Sequence, residues 1–516
     1  MKMNVFKKLV IIVVLVAMML PLFTGCGSNN EKRYNTIEDF EHARVGVMTG
    51  SSFDTLAKEY LPEAERVYFM IATDLILNLE QGKIDGILMD KGYYTPMVWE
   101  DEGLSYIEAD MPNTEYAIAF PKSSDSDVLA EQVNEFIKDQ GKSGWLKELE
   151  DKWISDEEPD FIPDTDSLTG ENGTIKVATT SQFKPYDYLK DGKLTGMEIE
   201  FIVRFAEEYG YDLELDPMDF SAILPSIAAG RYDMAISNIT VTEERAESVR
   251  FSDPYYKSPI IMAVLSDSTG GQQLGFGERI VEGFSKTFIR EDRWKLIVDG
   301  IGVTMLISLC AVLLGTLLGF GIYMVTCMNV KGVRVVSEAI AKVYTRIIEG
   351  TPVVVVLMVL FYVVFGSVKD ISGVAVAILG FSLIFGAFVY SHMKVSVGSV
   401  DIGQAEAAYA LGYTKNKAYT RIILPQAMSI FMPTYCSHAV ELIKGTAIVG
   451  YIAVNDLTKV GDIIRSNTYE AFFPLVSVAI IYFLLTWIIS LLLRRVKVRF
   501  EPKRRSNDTI LKGVKR

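Results

Sequence analysis

Cysteine and histidine are scarce: the 516 residues hold four of the first and three of the second. Cys26, Cys310, Cys327 and Cys436 show neither metal-ligand spacing nor the pattern of a disulfide framework, so a disulfide-stapled scaffold and a thiolate metal site are both excluded. His392 and His438 stand alone, without the partner cluster a proton relay needs, and read as packing or interface residues. A Gly-x-x-x-x-Gly-Lys-[Ser/Thr] phosphate loop is also missing, so the chain hydrolyses no nucleotide unaided. No catalytic residue, metal, cofactor or nucleic-acid partner is expected of it.

Acidic residues are sparse in one part only. From Asp299 onward 12 Asp and Glu face 22 Lys and Arg, whereas 53 face 29 before it. This divides an acidic, water-facing body from a basic-edged membrane body. The chain opens with Lys2, Lys7 and Lys8, an apolar run from Leu9 to Leu20, and small residues before Cys26, the layout of an export signal over 1–26. "LFTGC" resembles the lipobox of bacterial lipoproteins, with Phe23 in place of the usual leucine, which implies lipidation at Cys26 and an outward-facing domain held at the membrane lipid.

Between the signal and the membrane, short apolar strands alternate with helical stretches, as in an α/β domain. "RVGVMTGSS" (Arg44 to Ser52), "KIDGILMDKG" (Lys83 to Gly92) and "YAIAFPK" (Tyr116 to Lys122) carry strands in the segment 37–153. An acidic linker, 154–173, precedes a second α/β segment, 174–267, with "VATTSQFKPYDY" (Val177 to Tyr188) and "NITVTEER" (Asn238 to Arg245). These residues resemble the bilobed α/β (type II) periplasmic amino-acid-binding proteins of bacterial ABC importers. In that family the "VATTSQFKPYDY" lobe comes first, so the resemblance implies a circular permutation, tolerable where the former termini are joined by a linker.

The resemblance also implies a site. A free α-amino acid is a zwitterion, and its receptor must neutralise both ends away from water. Arg245 matches the arginine that grips the α-carboxylate. Thr240 and Asn238 add hydroxyl and backbone contacts, Gly50, Ser51 and Ser52 open a helix whose free N–H groups favour the carboxylate, and Asp90 takes the ammonium. Phe183 and Phe220 fall at the aromatic positions around the ligand side chain; taken alone, both read as ordinary core. Thr180 departs from relatives that place Asp there for cationic or amide side chains.

After an amphipathic stretch, 280–296, five apolar segments fill 297–494: about Val298 to Val325, Ile347 to Phe365, Val374 to Met393, Met428 to Val454 and Ala471 to Leu493. Each approaches the ~20 residues that cross a bilayer. The inner segments hold 18 Lys and Arg, including the basic tail 495–516, against Lys369, Lys459 and Arg465 on the outer side. That bias places the C-terminus in the cytoplasm.

The stretch 401–427, "DIGQAEAAYALGYTKNKAYTRIILPQA", is too polar for lipid. Glu406 to Leu411 favours helix, Gly412 allows a change of direction, and Thr414 can cap a second helix before Pro425. It resembles the EAA coupling loop of type I ABC-importer permeases, which implies an all-α polytopic membrane domain whose Glu406, Ala407, Ala408 and Gly412 meet an ATPase. "TRIIEGTPVVVV" (Thr345 to Val356) and "ELIKGTAI" (Glu441 to Ile448) resemble the polar amino acid uptake branch, with Glu349 where arginine is usual and Tyr390–Ser391 where Ala–Glu is. Glu441 and Lys444 are candidates to line the route or pair with each other. The implied assembly is a permease homodimer or a pair of homologous permeases with two ABC ATPase subunits, which hold the ATP and Mg. Two other classes remain: a ligand-gated channel or receptor, which needs a pore segment or signalling domain, and an enzyme on the binding-protein fold, which needs an acid or base in the cleft.

Overall fold

A computed structural model describes residues 34–49, 51–69, 72–100, 103–155, 157–165, 167–266, 276–328, 331–366, 368, 371–468, 470 and 472–500. Cys26, the export signal, Gly50 and residues 501–516 of the basic tail lie outside the described residues. The outer half forms two five-stranded sheets of one design. The first runs Glu65–Phe69, Arg44–Met48, Gly86–Asp90, Ile260–Leu265, Leu104–Glu108. The second runs Asp212–Pro217, Thr174–Thr179, Met234–Ala235, Ala119–Phe120, Arg250–Phe251. In each, the three leading strands are parallel and the fourth is antiparallel. Central strands are buried along their whole length, as Gly86–Asp90 is, because helices cover both faces.

The fourth strand of each sheet comes from the other sequence segment. Strand pairing therefore divides the lobes differently from the segments 37–153 and 174–267: Ala119–Phe120 and the helices Ser124–Ser143 and Trp145–Trp153 join the second lobe, and Ile260–Leu265 returns to the first. Phe136 packs edge-on against Phe201 and Phe205, which fixes those helices there. Periodicity finds strands but carries no sign of which sheet a strand joins. The two crossings, Thr114–Tyr116 and Tyr256–Ser258, pair antiparallel and form a hinge. The linker is strapped onto the second lobe: Tyr188 and the buried Lys184 donate to Glu158 at 2.9 and 3.2 Å, and Thr195 donates to the Phe161 carbonyl at 2.7 Å.

The inner half is all helix. Trp294–Thr326 and Gly373–Gly398 pack along their length through small residues; a Cβ at Gly319 would lie 2.5 Å from the Gly386 carbonyl oxygen. With Phe472–Arg495 these are the three described helices long and apolar enough to cross a membrane. The segment expected over Ile347 to Phe365 is broken: Gly332–Gly350 and Val353–Val364 meet at 112° across Thr351 and Pro352, where proline permits no continuous helix, and count as a fourth span if one bent unit. Met428 to Val454 falls on the helix Leu424–Gly445 and the 3-10 turn Thr446–Ile452. The stretch 280–296 is likewise interrupted, with Glu291 and Asp292 at positive φ ahead of Trp294.

Candidate functional site

Helix N-termini and strand ends carry the site. Ser52 begins the helix Ser52–Tyr60 on the first lobe, and its Oγ donates to Thr240 Oγ1 of the second lobe at 3.2 Å, across the cleft. The Thr240 carbonyl accepts from Arg245 Nη1 at 2.9 Å. Arg245 sits on the short helix Glu243–Ser248, capped by Thr242, and its guanidinium lies 5.8 Å from the centre of the Phe220 ring. Phe220 meets Phe183 edge-on at 5.6 Å, and Phe183 meets Tyr93 of the first lobe at 5.7 Å. Ser52, Thr240, Arg245, Phe220 and Phe183 are thus one continuous run of contacts.

Three predicted residues are turned elsewhere. Ser51 Oγ donates to the Met48 carbonyl at 2.7 Å. Asp90 is fully buried; its Oδ1 accepts from the Tyr186 hydroxyl at 2.7 Å, the Tyr93 N–H at 2.9 Å and Ser258 Oγ at 3.1 Å. Burial raises its pKa, while the bonds from Tyr186 and Tyr116 pull the other way. Asn238 adopts φ +36° and donates its N–H to Glu198 Oε1 at 2.6 Å. Glu198 lies in the same pocket of charge as Asp187, whose pKa burial pushes up to about 6. Thr180 gives its hydroxyl to Asp187 at 2.7 Å, so this lobe keeps a buried acid behind the threonine.

The cleft opens toward the membrane half. A helix of the outer loop, Leu457–Thr468, is buried along almost its whole length between both lobes and the membrane helices. Lys459 pairs with Asp219 of the second lobe and Arg465 with Asp74 of the first. Both basic side chains are 6% exposed, so these are desolvated contacts rather than rim charges. The Arg465 carbonyl also accepts from Thr73 Oγ1 at 3.1 Å. Arg231 of the second lobe reaches further in, donating to the Phe361 and Ile371 carbonyls at 2.6 and 3.2 Å with its guanidinium 3.6 Å from the Phe361 ring centre. Arg465→Met should leave Asp74 without its partner and destabilise the solubilised chain by about 2 kcal/mol, less than a fully buried pair because Asp74 is a third exposed. Adding Asp74→Leu should restore part of the loss in a thermal melt; a double variant no more stable than the single would remove the pair as a docking contact.

Sequence reasoning missed Asp74, Asp219, Arg231 and Tyr93. Lys459 and Arg465 did leave a signal, as two of the three basic residues in the segments assigned to the outer side.

At the inner end, Ile402–Ala410 is capped by Asp401 and Lys415–Ala418 by Thr414. Gly412 between them has φ +80°. Glu406 and Ala407 are exposed, whereas Ala408 is buried. Pro425 does not end the motif: it stands in the first turn of Leu424–Gly445, where its missing N–H is harmless. Tyr419 donates to the Tyr323 hydroxyl at 3.1 Å and Gln426 to Gln404 Oε1 at 3.3 Å, bracing the elbow on two long helices. Higher up, Glu441 pairs with His438 at 3.3 Å rather than with Lys444, and His438 stacks on Phe388 at 3.7 Å. Ser391 donates to Glu349 at 2.8 Å, so the two departures from the family pattern touch each other.

Two α/β lobes fused to an apolar helical body with a polar helical elbow define an amino-acid ABC transporter component that joins a solute-binding domain to a permease domain. The model of bacterial extracellular solute-binding proteins, family 3, matches residues 175–454, and the chain belongs to that family. The putative glutamine transport system permease protein GlnP of Rickettsia typhi is 32% identical over 202 residues, 39% of this chain and 91% of its own length. The L-cystine transport system permease protein TcyB of Bacillus subtilis is 28% identical over 214 residues, 41% of this chain and 90% of its own. A solved amino acid ABC transporter, described as crystallised with histidines, is 30% identical, covers 40% of this chain and 94% of its own, and superposes at a TM-score of 0.37. The chain is a transporter component and not an enzyme.

Proposed function

We propose that this chain is receptor and permease in one subunit of the polar amino acid uptake type, importing an α-amino acid with energy from a separate ATPase. Ligand enters between the lobes, where Arg245 and Thr240 take the carboxylate with the helix N-terminus at Gly50, Ser51 and Ser52. Asn238 adds a backbone contact beside Thr240, Asp90 takes the ammonium, which requires the Tyr186 hydroxyl to give way, and Phe183 and Phe220 flank the side chain. The binding domain is a circularly permuted lipoprotein anchored through Cys26, with bounds 37–153 and 174–267 in sequence. Identical strand order in two sheets that exchange their fourth strands supports that reading, as does the linker strap.

Five crossings, counting the bent unit and Leu424–Gly445, put the binding domain outside and the elbow inside. Ile402, Tyr409 and Leu411 stand 75%, 45% and 77% exposed around Glu406, Ala407, Ala408 and Gly412, an apolar patch suited to a protein partner. Two ATPase subunits holding ATP and Mg would dock there, beneath a permease homodimer or a homologous pair. The observation that carries the proposal is the outer helix Leu457–Thr468, which holds one lobe with Lys459 and the other with Arg465, so that lobe spacing and permease geometry are mechanically joined. Proteoliposomes containing the chain and its co-purified ATPase should accumulate labelled amino acid only when ATP and Mg reach the ATPase side. Equal uptake without ATP would sink the proposal.

A further inference from the structure

The strongest unexplained feature is a cavity of about 150 Å³ where the cleft meets the outer helix. One wall belongs to the binding lobes, with Tyr93, Phe183 and Phe220; the other belongs to the permease, with Tyr451. Three carboxylates line it, Asp219, Asp456 and Asp462, against one cation, Lys459. Counting Arg465, which pairs with both Asp462 and Asp74, leaves four acids against two bases. A partly open space with an acidic excess and four aromatic rings favours an organic cation, through Coulomb attraction and the negative faces of the rings. On the same wall the buried Gln182 Nε2 has no hydrogen-bond partner among the described residues, a donor waiting for an acceptor such as a carboxylate.

Part of that acidity has a local use. Asp456 caps the outer helix, accepting from the Lys459 N–H at 3.0 Å, the Thr458 N–H at 3.2 Å and the Tyr482 hydroxyl at 3.0 Å. A neutral asparagine would cap as well, so capping does not require the charge. Asp462 has no capping role; Arg465 holds one of its oxygens at 3.1 Å. Position 180, on the lobe, offers a threonine already committed to Asp187, and the one acid the binding lobes place on this cavity, Asp219, is already paired with Lys459, so the two acids left for a basic side chain, Asp456 and Asp462, belong to the permease.

We infer that the ligand site is composite, with the permease supplying the recognition of a cationic side chain, so that the substrate class is basic amino acids carrying a guanidinium or ammonium. The inference rests on the amino-acid reading above. The side chain lies between the aromatic rings and points toward Asp462 and Asp456, and specificity is therefore written on the translocating half rather than on the receptor.

The test is calorimetric titration of the full solubilised chain with L-arginine and with L-citrulline, its neutral isostere. The wild type should bind arginine about tenfold or more tightly than citrulline. Asp456→Asn/Asp462→Asn should bring the two within about twofold, by weakening arginine and leaving citrulline unchanged. Asp462→Asn alone, away from the helix cap, should give part of the effect and stands in if the double variant does not fold. Equal affinity for the two ligands in the wild type overturns the inference, as does a preference unaltered in folded variants. If L-glutamine binds and arginine does not, the cationic assignment fails while the amino-acid reading stands. If no amino acid binds, both fail.

Discussion

Arg245→Ala should abolish ligand binding, with affinity falling by a factor of about 100 or more, while the lobes stay folded. The arginine belongs to no core cluster; its Nη1 donates to the Thr240 carbonyl and its guanidinium faces the Phe220 ring. Burial lowers its pKa, yet a guanidinium keeps its proton, so a desolvated positive charge lies ready at the lobe junction. Exchanging that charge for a methyl group removes the neutralising partner of a carboxylate in a site that excludes water. Titration calorimetry of the full chain reads the loss, and an unchanged melting temperature separates it from unfolding. Retained micromolar affinity in a folded variant would place the carboxylate elsewhere.

Gly412→Pro should leave ligand capture untouched and stop uptake. Proline holds φ near −65°, whereas this turn needs +80°, so the two short helices of the elbow cannot keep their angle. The region between them is exposed and nothing lies within reach of an added Cβ, so the fold of the rest should survive. Gly412→Ala is the graded control: it strains the same φ by about 1–2 kcal/mol without removing an N–H, and should slow transport rather than end it. Uptake by proteoliposomes at the wild-type rate in the proline variant would remove the elbow as the entry point for ATPase work.

Much of the architecture could be read from residue order. The strands at Arg44, Lys83 and Thr174 stand out as apolar runs bounded by turns, and Gly412 turns the chain and Thr414 caps the next helix as the sequence suggests. The hydrophobic runs at Trp294, Gly373 and Phe472 were long enough to be unmistakable. What escaped was set by contacts distant in sequence. Nothing near Ala119 says that it pairs with Ala235 across a sheet, and nothing near Asp74 says that its partner is 391 residues away. The Gly–Thr–Pro at 350–352 is a breaker that apolar counting overlooked, since hydropathy continues on both sides of the bend. Asp90 illustrates a different limit: its place at a strand end was legible, but Tyr116 and Tyr186, whose hydroxyls meet it, come from separate segments and had to be folded to be seen.

The short join between the last strand of the lobes and the first helix of the membrane half governs how solute is counted. Only nine residues separate Ser266 from Phe276, so the capture module is held at an effective concentration in the millimolar range beside its own gate. Flux should then scale with the number of copies in the membrane and show no dependence on a free pool of scavenging protein. Such a cell surrenders the option of raising uptake by secreting more receptor, and gains a pump whose every copy arrives already loaded for duty.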